Sequence, residues 1–219
     1  MRKTKLMYVF LLLLITISFS GCFKSKPTEQ PINDNVTPTV IPTKNPSEEI
    51  TMTPIPKDSI VDDVEKLPKI NVTSETLNKD GKWKSIITNT NIGKNQSPQL
   101  SWTPVESAAY YAVYMFDISA QNWLHWFVQD LTDTKLDFDT KIKNSEYVGP
   151  YPPKGDAHTY VVTVYALKGK PDRYSGALDS MNLKPEKILE CLDTSNKERG
   201  NILATGTISG TYKNGESVK

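Results

Sequence analysis

Apolar and polar positions along this chain follow three patterns in turn. Leu6 to Ile17 is an apolar run interrupted only by Thr16. Phe23 to about Pro68 is rich in Pro, Thr, Lys, Asn and Glu, holds no glycine, and carries too little apolar surface to bury a core. From Lys69 onward short stretches rich in β-branched and aromatic residues read as strands, the first of them alternating with a period of two. Ile70 to Thr73 is the first such stretch, and Ser101 to Phe116 reads as two strands divided at Thr103-Pro104, the second running Tyr110 to Phe116. Trp126 to Val128, Tyr160 to Leu167 and Ile202 to Tyr212 follow; Gly206 and Gly210 in the last mark bulges or close approaches of backbone. The period changes only late. Pro185 suits a helical first turn, and Ile188, Leu189 and Leu192 then share one face of a helix over Glu186 to Leu192. Ser175 to Met181 is read as a further short helical turn, and the charge run from Lys135 to Lys143 as a solvated loop or edge. The expected fold is a single, mainly β domain at residues 69–219 with one or two C-terminal helices.

The first pattern has a chemical ending. Arg2, Lys3 and Lys5 precede the apolar run and Phe19-Ser20-Gly21-Cys22 follows it, the layout of a secretory signal. The run is shorter than the roughly 20 residues a spanning helix needs. Its end resembles a lipoprotein lipobox, with Phe19 where Leu, Val or Ile is more usual. That resemblance implies a signal at residues 1–21, acylation of Cys22 with fatty acids such as palmitate, and anchoring to the cell membrane on its extracytoplasmic side. A plain signal cleaved elsewhere, or an uncleaved anchor, is the alternative. Residues 22–68 then read as a proline-stiffened, disordered linker with a reach of about 100 Å or more at ~3 Å per residue.

Charge and cysteine narrow the partners. The signal holds three of the 26 Lys and Arg residues, so 23 remain against 25 acidic ones, and Arg173 and Arg199 are the arginines left. No basic stripe offers itself to nucleic acid; membrane contact rests on the lipid, two chains being what holds stably. With Cys22 acylated, Cys191 is the one remaining thiol, which rules out an intramolecular disulfide or a cysteine metal site. Among Ile188, Leu189 and Leu192 it reads as the small apolar member of a helix face.

The two histidines of the chain both fall among Trp, Tyr, Pro and Gly: Trp123-Leu124-His125-Trp126 and Gly149-Pro150-Tyr151-Pro152-Pro153-Lys154-Gly155-Asp156-Ala157-His158-Thr159-Tyr160. Imidazole near its pKa suits an anionic or polar ligand. Two motifs accompany these: Ser97-Pro98-Gln99-Leu100-Ser101-Trp102 with Asp117 closing a strand, and Leu203-Ala204-x-Gly206-x-x-x-Gly210-x-Tyr212. In this order the chain resembles the phosphatidylethanolamine-binding protein (PEBP) family, specifically its bacterial Raf-kinase-inhibitor-like branch, from about Ile70 to Tyr212. The resemblance implies an antiparallel β-sandwich of a large and a small sheet with late helices. It also implies a small surface cavity for phosphate or a similar anionic headgroup, built here from Asp117, Trp123, His125, Pro150, Pro152, His158 and Tyr160. Two departures fall on the rim: where the family carries D-P-D-x-P, this chain has Asp117-Ile118-Ser119-Ala120-Gln121, and the stretch from Asp117 to His125 is about three residues shorter than the resemblance implies.

Read from the residues, His158 and Tyr160 share a strand face, as do His125 and Phe127, with Trp126 and Val128 packing inward. Two imidazoles and a phenol then offer up to three donors to an oxyanion. Asp117 is expected to orient an imidazole rather than to touch the anion, or to cap a turn. Gly149 and Gly155 allow close backbone approach. A His/His/Asp set is chemically acceptable to zinc, but no nucleophile elbow accompanies it and Cys191 sits on an apolar face. The expectation is therefore a binding protein and not an enzyme, without metal or cofactor, taking a small anion or phospholipid headgroup. A protein-interaction module, such as an inhibitor of a protease or kinase-like partner, is the competing class. Leu100 to Val105 followed by Tyr110 to Tyr114 also resembles early strands of a fibronectin type III adhesion or spacer domain.

Overall fold

A computed structural model describes residues 59–219. The signal, Cys22 and the linker to residue 58 lie outside the described residues. The folded region starts before Lys69. Ser59 Oγ accepts the Asp62 N–H at 3.2 Å, Asp62 and Asp63 occupy the first turn, and helix α1 (Ile60–Glu65) results. Ile60 and Val64, four apart, lie on one face and are buried, so a segment whose composition reads as linker is held by packing.

Strands β1 (Val72–Thr73), β2 (Leu100–Trp102) and β5 (Lys135–Leu136) make a small antiparallel sheet in the order β1-β2-β5. Strands β3 (Tyr110–Asp117), β4 (Trp123–Leu131), β6 (Ser145–Tyr147), β7 (Ala157–Leu167) and β8 (Ile202–Lys213) make the large one, ordered β6-β4-β3-β7-β8 and antiparallel throughout. Helix α2 (Glu186–Leu192) follows β7, and the expected helix has these same bounds. One core lies between the sheets, where Val113, Met115, Trp126, Val128, Val162 and Val164 meet Val72, Leu100, Trp102 and Leu136. A second lies on the other face, where Ala112, Tyr114, Leu124, Tyr165 and Leu167 meet Ile60, Val64, Ile188 and Leu192 of the helices. The centre of the large sheet is thus buried on both faces. That is why Tyr110 to Phe116 is a nearly continuous apolar run and not a clean alternation. Each large side chain fully buried here contributes about 1.5–3 kcal/mol relative to exposure.

The close approaches expected at Gly206 and Gly210 are present. Residues 68–83 run beside β8, with Ile70 N–H on the Thr205 carbonyl at 2.9 Å and Trp83 N–H on the Thr211 carbonyl at 2.9 Å. A Cβ on Gly206 would strike the Ile70 carbonyl, and one on Gly210 the Leu77 side chain. One expectation changes. Ser175 to Met181 is not helical: it turns at Asp179 beside the start of β4, Leu178 bridging to Leu124 and Met181 to Trp123. The Lys135–Lys143 run begins at an edge, as read, in β5, where Leu136 is buried. Strand β6, too short for a period, went unpredicted. Among the described residues no helix is long and apolar enough to cross a membrane.

Candidate functional site

The ends of β3, β4 and β7 meet at one corner of the large sheet. Asp117, last in β3, pairs with Trp123 at the start of β4 and with Tyr160 in β7. The residue is 2% exposed and its carboxylate fully engaged. Oδ1 accepts the Ser119 N–H at 2.9 Å, and Oδ2 accepts the His158 Nδ1–H at 2.6 Å. Asp117 therefore does both things the sequence offered: it ties the turn and orients an imidazole. Ser119 Oγ in turn accepts the Thr159 N–H at 3.0 Å, so the residue standing in place of the family's second carboxylate fastens the turn to β7. A carboxylate only accepts, which fixes the His158 proton on Nδ1 and leaves Nε2 free.

His125 arrives by a device that alternation does not show. Met115 pairs with Trp126 and Phe116 with Leu124, so His125 is an extra residue in β4, a β-bulge. Leu124, His125 and Trp126 are consecutively buried, and the expected sharing of a face by His125 and Phe127 fails: Phe127 packs on the helix side. The His125 ring lies edge-on to Tyr160, with centroids 5.3 Å apart, and its Nδ1–H donates to the Val148 carbonyl at 2.7 Å. Burial holds its pKa below the ordinary imidazole value, against smaller opposing contributions from the Val148 carbonyl, Asp117 and Asp179. His125 is thus neutral near pH 7, and Nε2 offers a lone pair.

These residues line a cavity of about 560 Å³. Of the expected site residues, Asp117, Trp123, His125, Gly149 and His158 line it; Pro150, Pro152 and Tyr160 do not. Pro150 and Pro152 are buried supports, their carbonyls accepting from Asn89 N–H at 3.0 Å and Asn214 Nδ2 at 2.7 Å. Tyr160 is fully buried beneath the two imidazoles, its hydroxyl without a hydrogen-bond partner, and burial next to Asp117 drives its pKa far upward. It is a floor, not a third donor. A Cβ at Gly149 would strike the Ile87 carbonyl, so glycine is what lets this loop lie against residues 87–89.

The sequence reading missed Asn89, Ala120, Val148, Tyr151, Pro153 and Asp179 in the lining. Tyr151 and Pro153 stand inside a motif already singled out. Asp179 had no signal, since its segment was read as a helical turn; it accepts the Trp123 Nε1–H at 3.1 Å. No lysine or arginine lines the cavity. Among the described residues no group of three or more His, Cys, Asp or Glu is placed to hold a metal ion.

The model of a protein family described as "Phosphatidylethanolamine-binding protein" matches residues 58–213, starting just ahead of α1. The UPF0098 protein YbhB of Escherichia coli K12 is 32% identical over 97 aligned positions, covering 34% of this chain and 61% of that protein, so less than two thirds of the relative is spanned. Among solved structures, E. coli YbcL, titled a new member of the mammalian PEBP family, superposes with a TM-score of 0.51 at 25% identity, covering 66% of this chain and 98% of its own. A PEBP homologue from Chlamydia trachomatis, CT736, gives 0.52 at 22% identity over 66% and 97%, a likeness of fold. The fibronectin type III reading is set aside by these matches and by the two sheets described above.

Proposed function

The chain belongs to the phosphatidylethanolamine-binding protein family, and on that premise we propose that it is a membrane-anchored, extracytoplasmic binding protein whose cavity takes a small anionic group. The phosphate or carboxylate of a headgroup, or of a larger partner, has the matching chemistry. The observation that carries this reading is the 2.6 Å contact between Asp117 and His158 at the cavity wall. It presents His158 Nε2 to an incoming acid, and a proton taken up there makes a charge-assisted bond to the resulting oxyanion. His125 complements it: its Nε2 lone pair matches the remaining hydroxyl of a monoprotonated phosphate. Binding without turnover fits, because Cys191 is buried on α2 and is not part of the cavity lining. The anchor and the side of the membrane are supported by the positive, apolar and Cys22-terminated beginning of the chain.

The test uses residues 59–219, the described residues, of which the family model matches those up to 213. Only two histidines are present, so one His→Ala variant assigns both imidazole spectra. Titration with phosphate, phosphoethanolamine and acetate is expected to shift both rings saturably, and His158→Ala to abolish the response. Two silent rings would overturn the reading. The competing class, a protein-interaction module, is favoured by the exposure of Tyr151 (66%) on the rim; a protein partner still retained by a His125→Ala/His158→Ala variant would establish it.

A further inference from the structure

Acidic and basic residues nearly balance over residues 59–219, yet one groove is charged by lysines alone. It encloses about 310 Å³ between residues 84–94 and 217–219. Hydrogen bonds fasten both of its sides. Ser85 N–H donates to the Val218 carbonyl at 2.9 Å, Val218 N–H donates to Ser85 Oγ at 2.8 Å, and Ser85 Oγ–H donates to the Glu216 carbonyl at 3.1 Å. Across from these, Lys94 N–H donates to the Ile86 carbonyl at 3.1 Å and closes the loop that carries Ile92. Ile86, Ile92 and Val218 form the apolar part of the lining; Val218 is buried and Ile92 is 42% exposed. Lys84, Lys94 and Lys219 form the charged part. Lys84 is half-buried, and among the described residues no acidic group lies within ion-pair distance of any of the three. Lys82, just ahead on the same stretch, is already paired with Glu216.

We infer that this groove docks a protein partner through an acidic segment with an aliphatic side chain at its centre. The side chain enters between Ile86, Ile92 and Val218, and the flanking carboxylates meet Lys84, Lys94 and Lys219. Each half of the lining argues against a simpler ligand. A bare anion gains nothing from the isoleucines, and exposed lysines alone hold it weakly. A wholly apolar ligand would cover the Lys84 ammonium and leave it unpaired, which costs free energy. A segment with both features gains on both counts, because charges at an apolar margin attract more strongly than in open water. The volume is at the lower end for ligand pockets, enough for one side chain and its flanks. A flat lipid surface would call for apolar residues that stand proud, whereas Val218 is recessed. The inference does not rest on the anion reading, since the groove and the histidine cavity have no lining residue in common.

The experiment measures binding of a fluorescein-labelled Glu-Glu-Leu-Glu-Glu peptide to residues 59–219 by anisotropy, with the Ile92 methyl signals followed by NMR. Two control peptides carry Gln in place of every Glu, or Ser in place of the Leu. The acidic peptide is expected to bind saturably and to shift Ile92. Lys84→Gln, Lys94→Gln and Lys219→Gln are each expected to weaken it about two- to fivefold, and added salt to weaken it further. Ile92→Ser is expected to weaken it as well, and both control peptides to bind poorly. None of these four positions belongs to the buried cores, so Tm is expected to stay unchanged in every variant. Full binding by a variant with all three lysines replaced, equal binding of the Ser peptide, or no saturable binding overturns the inference. Phosphatidylglycerol vesicles that retain the protein through the same lysines, while the peptide leaves Ile92 unmoved, overturn it in favour of a lipid surface.

Discussion

Replacing Asp117 with Asn exchanges one oxygen for an amide and removes a charge from a site that is 2% exposed. Both carboxylate oxygens are in use, Oδ1 by the Ser119 N–H at 2.9 Å and Oδ2 by His158 Nδ1–H at 2.6 Å. The backbone N–H requires an acceptor, so the asparagine carbonyl stays with Ser119 and the NH₂ is turned toward His158. An amide NH₂ only donates, and His158 must therefore give up its Nδ1 proton and carry it on Nε2. A hydrogen bond to a charged group contributes about 1.5–3 kcal/mol, and the neutral replacement recovers part of that, so about 1–2 kcal/mol of stability is lost. For a domain of this size that lowers Tm by about 2–8 °C. Thermal unfolding gives the magnitude, and ¹⁵N spectra of the two imidazoles give the tautomer. An unchanged Tm with the proton still on His158 Nδ1 would refute the geometry on which the whole site is built.

Other outcomes follow from separate features. Burial holds the His125 pKa below 6.5 in the native state, so below that pH the unfolded chain binds more protons; stability is full above pH 6.5 and falls as pH drops toward the native pKa. Urea midpoints at pH 7.5 and 5.0 are expected to show the loss, and His125→Asn, which keeps a donor for Val148, to reduce it. Gly206→Ala must displace the Ile70 carbonyl and is expected to cost about 1–3 kcal/mol in denaturant unfolding, whereas Gly215→Ala, at an open turn, meets no neighbour and is limited to the strain of its φ of +95°. Ile60→Ala, in the helix the composition hides, is expected to cost about 2 kcal/mol, the low end for its type at a margin of the core. No change there would mean that α1 does not belong to the domain.

Local patterns carried most of the framework. Runs of β-branched and aromatic residues located β3, β7 and β8 because long strands against a core repeat the signal several times, and Pro185 with Ile188, Leu189 and Leu192 located α2. What the sequence hid has physical reasons. The bulge at His125 arises from a register shift between β3 and β4, a relation between two strands that neither carries alone. Asp179 entered the site through backbone bonds to Leu124, which no side-chain pattern announces. Pro150 and Pro152 are as rigid as expected, but their carbonyls face Asn89 and Asn214, so they brace the cavity instead of lining it. Helix α1 was legible in principle: Ser59 before Asp62, with Ile60 and Val64 four apart, is a helix start, obscured by the linker-like composition around it.

The segment from residue 68 to 83 that lies along β8 has a consequence for how these molecules behave in company. A strand of 12 residues with one free side is a template on which another chain can add, and a five-stranded sheet has two such sides. Here one is capped by the chain's own residues, through the Ile70 and Trp83 amides, and the other ends in β6, only three residues long. Edge-to-edge fibril growth therefore has to begin by peeling that segment away. Gly206 and Gly210 are what let it lie close enough to hold, so a side chain at either is expected to reveal itself first as aggregation, at temperatures where the cores are still intact.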